Sequence, residues 1–251
     1  MSDLTESEAN GLTSNSEVKL NGLIILILLM VSGLCQAQYS NHQLYQAYIT
    51  RDMSVWEHYI DSANWDSLDT EQRKQLLNYE YGFSAYILGL DVEKGKRLIQ
   101  GLANHLELMK SELPEERYCA YLASVYTYQL ALNKNQLMKY AKEIYNNIER
   151  AMELNANDPF VLSMQGNVEF YSPFGSKKAA LGYYQKADSL YGLVGADYER
   201  WNRRAVQMTY IQCLNKQRRR DEAIALCAEL LAEEPNNVNF QQLMKELHAR
   251  D

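Results

Sequence analysis

Proline and glycine are scarce in this chain, with 4 and 12 among 251 residues. Both interrupt helices, so their scarcity favours long helical runs, as do the many Leu, Ala, Glu, Lys and Gln residues. No stretch alternates apolar and polar residues between turn signals, so no sheet is predicted. Catalytic signatures are lacking too: there is no H-E-x-x-H, no paired cysteine at metal spacing, no phosphate loop and no G-x-S-x-G. The four histidines, His42, His58, His105 and His248, are scattered without ligand spacing. The sequence therefore predicts no enzyme, no metal site and no cofactor. A basic excess is also missing. With 25 Lys+Arg against 32 Asp+Glu the net charge is −7, a poor match for nucleic-acid phosphates. Beyond residue 37 only Cys119, Cys213 and Cys227 remain, an odd and irregular set that is no disulfide framework. Cys213 and Cys227 could face each other across a hairpin of helices; the alternative is that they are small buried apolar residues.

What the chain does have begins with an unbroken apolar run, residues 23–31, with Lys19 before it and Cys35-Gln36-Ala37 after it. A cation, an apolar centre and a small residue at the cut form the layout of a secretory signal peptide, predicting cleavage after Ala37. The other reading is a retained anchor, but the uncharged run 20–34 falls short of the ~20 residues a spanning helix needs. Residues 1–17 are acidic where a cationic region belongs, which suggests a start at Val18 read from a GTG codon. Losing residues 1–37 would leave a net charge near −4. The expected location is the periplasm or cell envelope, with no stable membrane span after cleavage.

Apolar spacing and cap residues predict paired helices throughout the rest. A short pair lies within 38–68. Asp69 with Gln72 marks the start of a long helix reaching about Leu88, and Asp91 opens its partner. Pro114 stands at the start of the next helix, with Glu115 and Glu116 behind it. A return helix runs to Asn155, and Asp158-Pro159 caps and starts another. The last pair spans about 197–216 and 220–232, and an amphipathic helix, 238–249, closes the chain.

Four segments share one pattern. Ala180, Tyr184 and Ala187 follow small-x-x-x-aromatic-x-x-small, behind the small residue Gly166 of the preceding helix. Ala223, Cys227, Leu230 and Pro235 keep those spacings; Ile144, Ile148 and Ala151 keep them more loosely, and Gly95, Ile99 and Leu102, behind Gly82, more loosely still. This pattern resembles the tetratricopeptide repeat (TPR) family. The repeats are spaced 49, 36 and 43 residues apart, against about 34 in the ideal unit. The Tyr-x-x-Phe-Gly loop at Tyr171 also resembles exported repeat proteins of Bacteroidetes-type bacteria.

The resemblance implies an all-α fold: an α-solenoid of stacked antiparallel helix pairs over 69–251, with a C-terminal capping helix. It implies a protein–protein interaction module or scaffold with a protein or peptide partner. The alternative is an envelope accessory protein that binds a peptide or glycan. In this family the first helices of successive repeats line the concave face. Counting from the small residues, the inward positions are Tyr79, Phe83 and Tyr86, then Tyr121, Val125 and Tyr128, then Ser163, Asn167 and Phe170, then Met208, Gln212 and Asn215. An extended peptide would lie against Tyr79, Tyr86, Tyr121 and Tyr128, unless these rings pack between helices. The inward positions hold no cation, which disfavours a clamp on a peptide carboxylate.

Overall fold

A computed structural model describes residues 39–249. The apolar run and the expected cleavage after Ala37 lie outside the described residues. Ser40–Asp251 is one compact unit, so the pair within 38–68 belongs to the same body as the repeats. Besides three short 3-10 turns, the described residues hold eleven α-helices and no strand. In chain order they are α1 (Asn41–Thr50), α2 (Ser54–Ser62), α3 (Thr70–Leu88), α4 (Val92–Leu108), α5 (Glu115–Leu132) and α6 (Leu137–Asn155), then α7 (Pro159–Tyr171), α8 (Lys177–Val194), α9 (Arg200–Lys216), α10 (Arg220–Glu233) and α11 (Val238–His248). None is long and apolar enough to cross a membrane.

Six of the eleven starts lie where a short polar side chain satisfies free backbone N–H groups. Asp69 accepts from the N–H of Gln72 at 2.8 Å while Gln72 accepts from the N–H of Asp69 at 2.9 Å, a reciprocal capping box. Ser40 and Gln43 repeat the device ahead of α1. Asp158 accepts from the N–H groups of Phe160 and Val161 at 2.8 and 3.0 Å, with Pro159 as the first helical residue. Pro114 is the residue before α5 rather than within it.

Consecutive helices pair into antiparallel hairpins, α3 with α4, α5 with α6, α7 with α8 and α9 with α10, and these stack side by side. This is the all-α solenoid that the repeat pattern implied. The hairpin α7–α8 shows why the pattern exists. A Cβ on Gly166 would come within 2.7 Å of Cε1 of Tyr184, so only glycine lets that ring lie flat across the helix. The Tyr184 hydroxyl then donates to Oδ1 of Asn167 at 2.9 Å. Helix α11 packs on α10 and α9 and covers the end of the array, as terminal repeats require.

One expectation of the repeat reading is corrected. Gly82 does not seat its own hairpin partner. A Cβ there would lie 2.5 Å from Cη2 of Trp201 and 2.9 Å from Cζ3 of Trp56, residues of α9 and α2. The array curls until its beginning meets its end, and α1 packs against both α9 and α11. Polar contacts tie that meeting together. The Tyr45 hydroxyl donates to Glu234, and Arg204 donates to Glu234 at 2.9 Å and to the Tyr45 hydroxyl at 3.1 Å. Arg51 donates to Asn239 at 2.7 Å, and Asn239 donates to the Tyr48 carbonyl at 3.0 Å. Leu44 and Trp56 are buried there, each contributing about 1.5–3 kcal/mol. The inner face is thus filled over part of its length.

Cys119, Cys213 and Cys227 are buried free thiols. Cys213 Sγ lies against the Lys177 carbonyl and Cys227 Sγ against the Phe240 carbonyl, so the two do not pair.

Candidate binding surface

The inner helices α3, α5, α7 and α9 present their side chains in levels. The lowest level is polar and closed. Asn78 and Asn202 exchange two hydrogen bonds, 2.9 and 3.0 Å, and the Tyr121 hydroxyl donates to Asn78 at 3.3 Å. Arg117 donates to Asp158 at 2.7 Å and to Glu199 at 2.6 Å. Burial works against the Arg117 cation, but Glu199 and Asp158 outweigh it and raise its pKa further. These groups satisfy one another.

Above this level lies an aromatic core. Trp56 meets Tyr79 edge-on at 4.8 Å and Trp201 at 5.1 Å, and Tyr48 stacks on Trp56 at 5.8 Å. Tyr121 packs on Phe160 at 4.3 Å. Of the residues expected on an open concave face, Tyr79, Phe83, Tyr121 and Phe170 are buried. Tyr79 faces Trp56 and Tyr59, Phe83 lies under the Lys94 ammonium, and Phe170 turns toward Tyr184 of its own hairpin. Asn167 is spent on Tyr184. Tyr86, 41% exposed, stacks on Phe83. The continuous groove against Tyr79, Tyr86, Tyr121 and Tyr128 is therefore not present. Trp56 of α2 fills the stretch at Tyr79, and the inward count from Gly82 omits Tyr81, whose ring meets Tyr121, Tyr128 and Phe160.

Beyond the filled stretch a rim stays open. Tyr81 and Tyr128 stack at 6.0 Å with planes 23° apart, and the Tyr128 hydroxyl donates to the Tyr81 carbonyl at 3.1 Å. The Tyr81 hydroxyl meets the Met164 sulfur at 3.6 Å, and the Tyr48 hydroxyl meets that of Met208 at the same distance. Tyr171, at the end of α7, is 66% exposed. Burial pushes the phenols of Tyr81 and Tyr128 well above their ordinary range, so both are neutral hydroxyls rather than bases. Of this rim the sequence reading placed Tyr128 and Met208 on the inner face. Tyr81 was legible as the residue next to Gly82; Tyr48 and Met208 come from opposite ends of the chain, and no local signal joins them.

A second concavity of about 370 Å³ lies between Tyr45, Tyr191 and the first turn of α9. Its arginines are committed: Arg203 to Asp188, Arg204 to Glu233 and Glu234, and Arg200 over the Tyr45 ring at 4.1 Å. Among the described residues no group of His, Cys, Asp and Glu is placed to hold a metal ion.

No family model matches the chain, and no curated protein matches it. Among solved structures, the HusA haemophore from Porphyromonas gingivalis aligns with a TM-score of 0.52 at 16% identity, over 70% of this chain and 90% of that one. The likeness is one of fold. The APC/C hetero-tetramer Cut9–Hcn1 aligns at a TM-score of 0.39 and 13% identity, over 92% of this chain and 46% of that one, too loosely to support an argument.

Proposed function

We propose that this chain is an exported binding module with no chemistry of its own, and that it takes a protein or peptide partner at the open rim of its inner face. The observation that carries the reading is the stacked pair Tyr81–Tyr128 beside the exposed ring of Tyr171. Aromatic rings give contact area at little entropic cost and recur at interface hot spots. The polar groups beneath them are bonded to one another, Asn78 to Asn202 and Arg117 to Asp158 and Glu199. The test is affinity purification of the full chain from its native envelope, beside Tyr128→Ala/Tyr171→Ala. The reading expects a partner lost from the double variant while helicity and melting stay as in the parent. A partner set unchanged by the substitutions defeats it.

A second reading has one observation of its own. The fold is shared with a haemophore, and this rim sets flat rings beside the thioether of Met208, a lining suited to a planar conjugated molecule such as haem. Titrating the chain with haem separates the two. A saturable absorbance shift that weakens in Tyr128→Ala and Met208→Ala supports the small-ligand reading, and its absence leaves the peptide reading.

A further inference from the structure

Parallel stacking of the inner helices puts the α5–α6, α7–α8 and α9–α10 connections at one end of the array. Contacts confirm it. The Tyr145 hydroxyl and Ser172 Oγ are 2.6 Å apart, joining α6 to the α7–α8 loop. Gln217 donates to the Lys177 carbonyl at 2.7 Å, joining the α9–α10 turn to the start of α8. At this end the stretches 133–142, 172–178 and 216–219 hold eight Lys and Arg residues and no Asp or Glu. The α3–α4 turn at the same end adds one acid, Asp91. The connections at the other end, 109–114, 156–158, 195–199 and 234–237, hold five acids and one base. A chain of net charge −7 has therefore gathered its cations on one edge. Among the described residues Lys134, Lys139, Lys177, Lys178, Lys216 and Arg218 form no ion pair.

The same edge exposes apolar side chains. Phe174 is 91% exposed and Met138 85% exposed. Phe174 stands on a braced loop. Its N–H donates to Ser172 Oγ at 3.1 Å, and the N–H of Ser176 donates to Glu169 at 2.6 Å. Gly175 sits so close to α7 that a Cβ would lie 2.3 Å from the Glu169 carbonyl oxygen. A loop held this firmly with its ring in solvent gains nothing for the fold from that ring.

We propose that this edge docks on an anionic lipid surface, with Phe174 and Met138 entering the interface and the lysines around them meeting lipid phosphates. Apolar wedges flanked by cations suit such a boundary, and each Lys or Arg near it strengthens binding by roughly fivefold.

The test uses the full chain carrying Phe174→Trp, with vesicles of phosphatidylcholine alone or with phosphatidylglycerol, doped with a bromolipid quencher. The native tryptophans lie in the core or between side chains, so the parent chain gives the baseline, including any lipid binding by residues 23–31. The expected result is a blue shift and quenching of the introduced tryptophan on anionic vesicles alone, reversed by high salt. Lys177→Gln/Lys178→Gln should weaken binding by roughly thirtyfold. Met138→Trp must report the same, which guards against local damage by either tryptophan. Emission that ignores anionic vesicles in both variants overturns the proposal and leaves the edge to an acidic protein. Equal quenching on neutral vesicles overturns it as well.

Discussion

Replacing Gly82 by alanine tests the closure of the array at a single atom. The substitution adds one methyl group in the middle of α3. In an open helix that change stabilises, because alanine exceeds glycine in helix propensity by about 1 kcal/mol. Here the new Cβ would lie 2.5 and 2.8 Å from Cη2 and Cζ2 of Trp201 and 2.9 Å from Cζ3 of Trp56. Both are rigid rings buried in the core, so neither can swing aside as the end of a flexible chain would. Overpacking of this kind costs about 1–3 kcal/mol, and with two rings pinned together the upper figure applies. Setting about 3 against a gain of about 1 leaves a net loss of roughly 2 kcal/mol. For a domain of this size that lowers Tm by roughly 4–8 °C. Gly101→Ala in α4 and Gly182→Ala in α8 are the controls, since nothing lies within 4 Å of a Cβ at either; both should raise Tm slightly. Thermal melts followed by circular dichroism measure all three. If Gly82→Ala melts as high as Gly101→Ala, the two tryptophans do not meet at Gly82 and the closed arrangement is wrong.

Three further outcomes are expected. Leucine at Asn202 should cost about 1–3 kcal/mol by stranding Asn78, and the Asn78→Leu/Asn202→Leu pair should cost less than the sum of the singles; additive denaturant midpoints would refute the coupling. Burial raises the carboxyl pKa of Glu80 against the opposing hydrogen bond and charge of His105, so the folded chain holds that proton more tightly than the unfolded one. Its contribution is full below the ordinary value of 4.5 and is lost as pH rises through the raised one. Glu234 has the opposite sign. Burial pushes it up, but hydrogen bonds from Tyr45, Arg204 and Asn237 bring it below 4.5, so its contribution is present above that value and fades in acid. Urea midpoints against pH should therefore flatten in opposite directions in Glu80→Gln and Glu234→Gln, and superimposable profiles would contradict both assignments. Burial also raises the thiols of Cys119 and Cys213, and that of Cys227 to about 11, so peptide mapping after mild alkylation at neutral pH should find all three unmodified in the native chain and labelled once it is unfolded.

What was legible in the sequence was local. The capping pair Asp69–Gln72, the Asp158-Pro159 start and the Gly166–Tyr184 seat are short-range devices, each written within about twenty residues, and each stands where the pattern put it. The same reading failed on contacts that join distant segments. Asn78 and Asn202 are 124 positions apart, Tyr45 and Glu234 are 189, and Arg51 and Asn239 are 188. An isolated asparagine on a predicted helix reads as a solvated residue, because nothing near it in the chain names its partner.

Those distant contacts decide how much surface is left for binding. A stack of hairpins has two apolar ends, and each must be covered. The last hairpin is covered by α11. The first is covered by α1 and α2, but these are short, so they reach full burial only by leaning inward and sharing the tryptophan of α9. Trp201 is thus shared between the first helices of the chain and its last repeat, and its contacts with Tyr48, Trp56 and Tyr79 occupy the part of the inner face that a longer, straighter solenoid would leave to a partner. The rim at Tyr81, Tyr128 and Tyr171 escapes this because α1 extends no farther than Thr50. On this argument the first two helices set the length of the binding surface. Trp56→Ala should loosen the body, at a cost of about 3–5 kcal/mol, and make Tyr79 newly reactive to tyrosine-directed labelling. A variant that stays as stable as the parent with Tyr79 still protected would show that the inner face is closed by something other than the Trp56 ring.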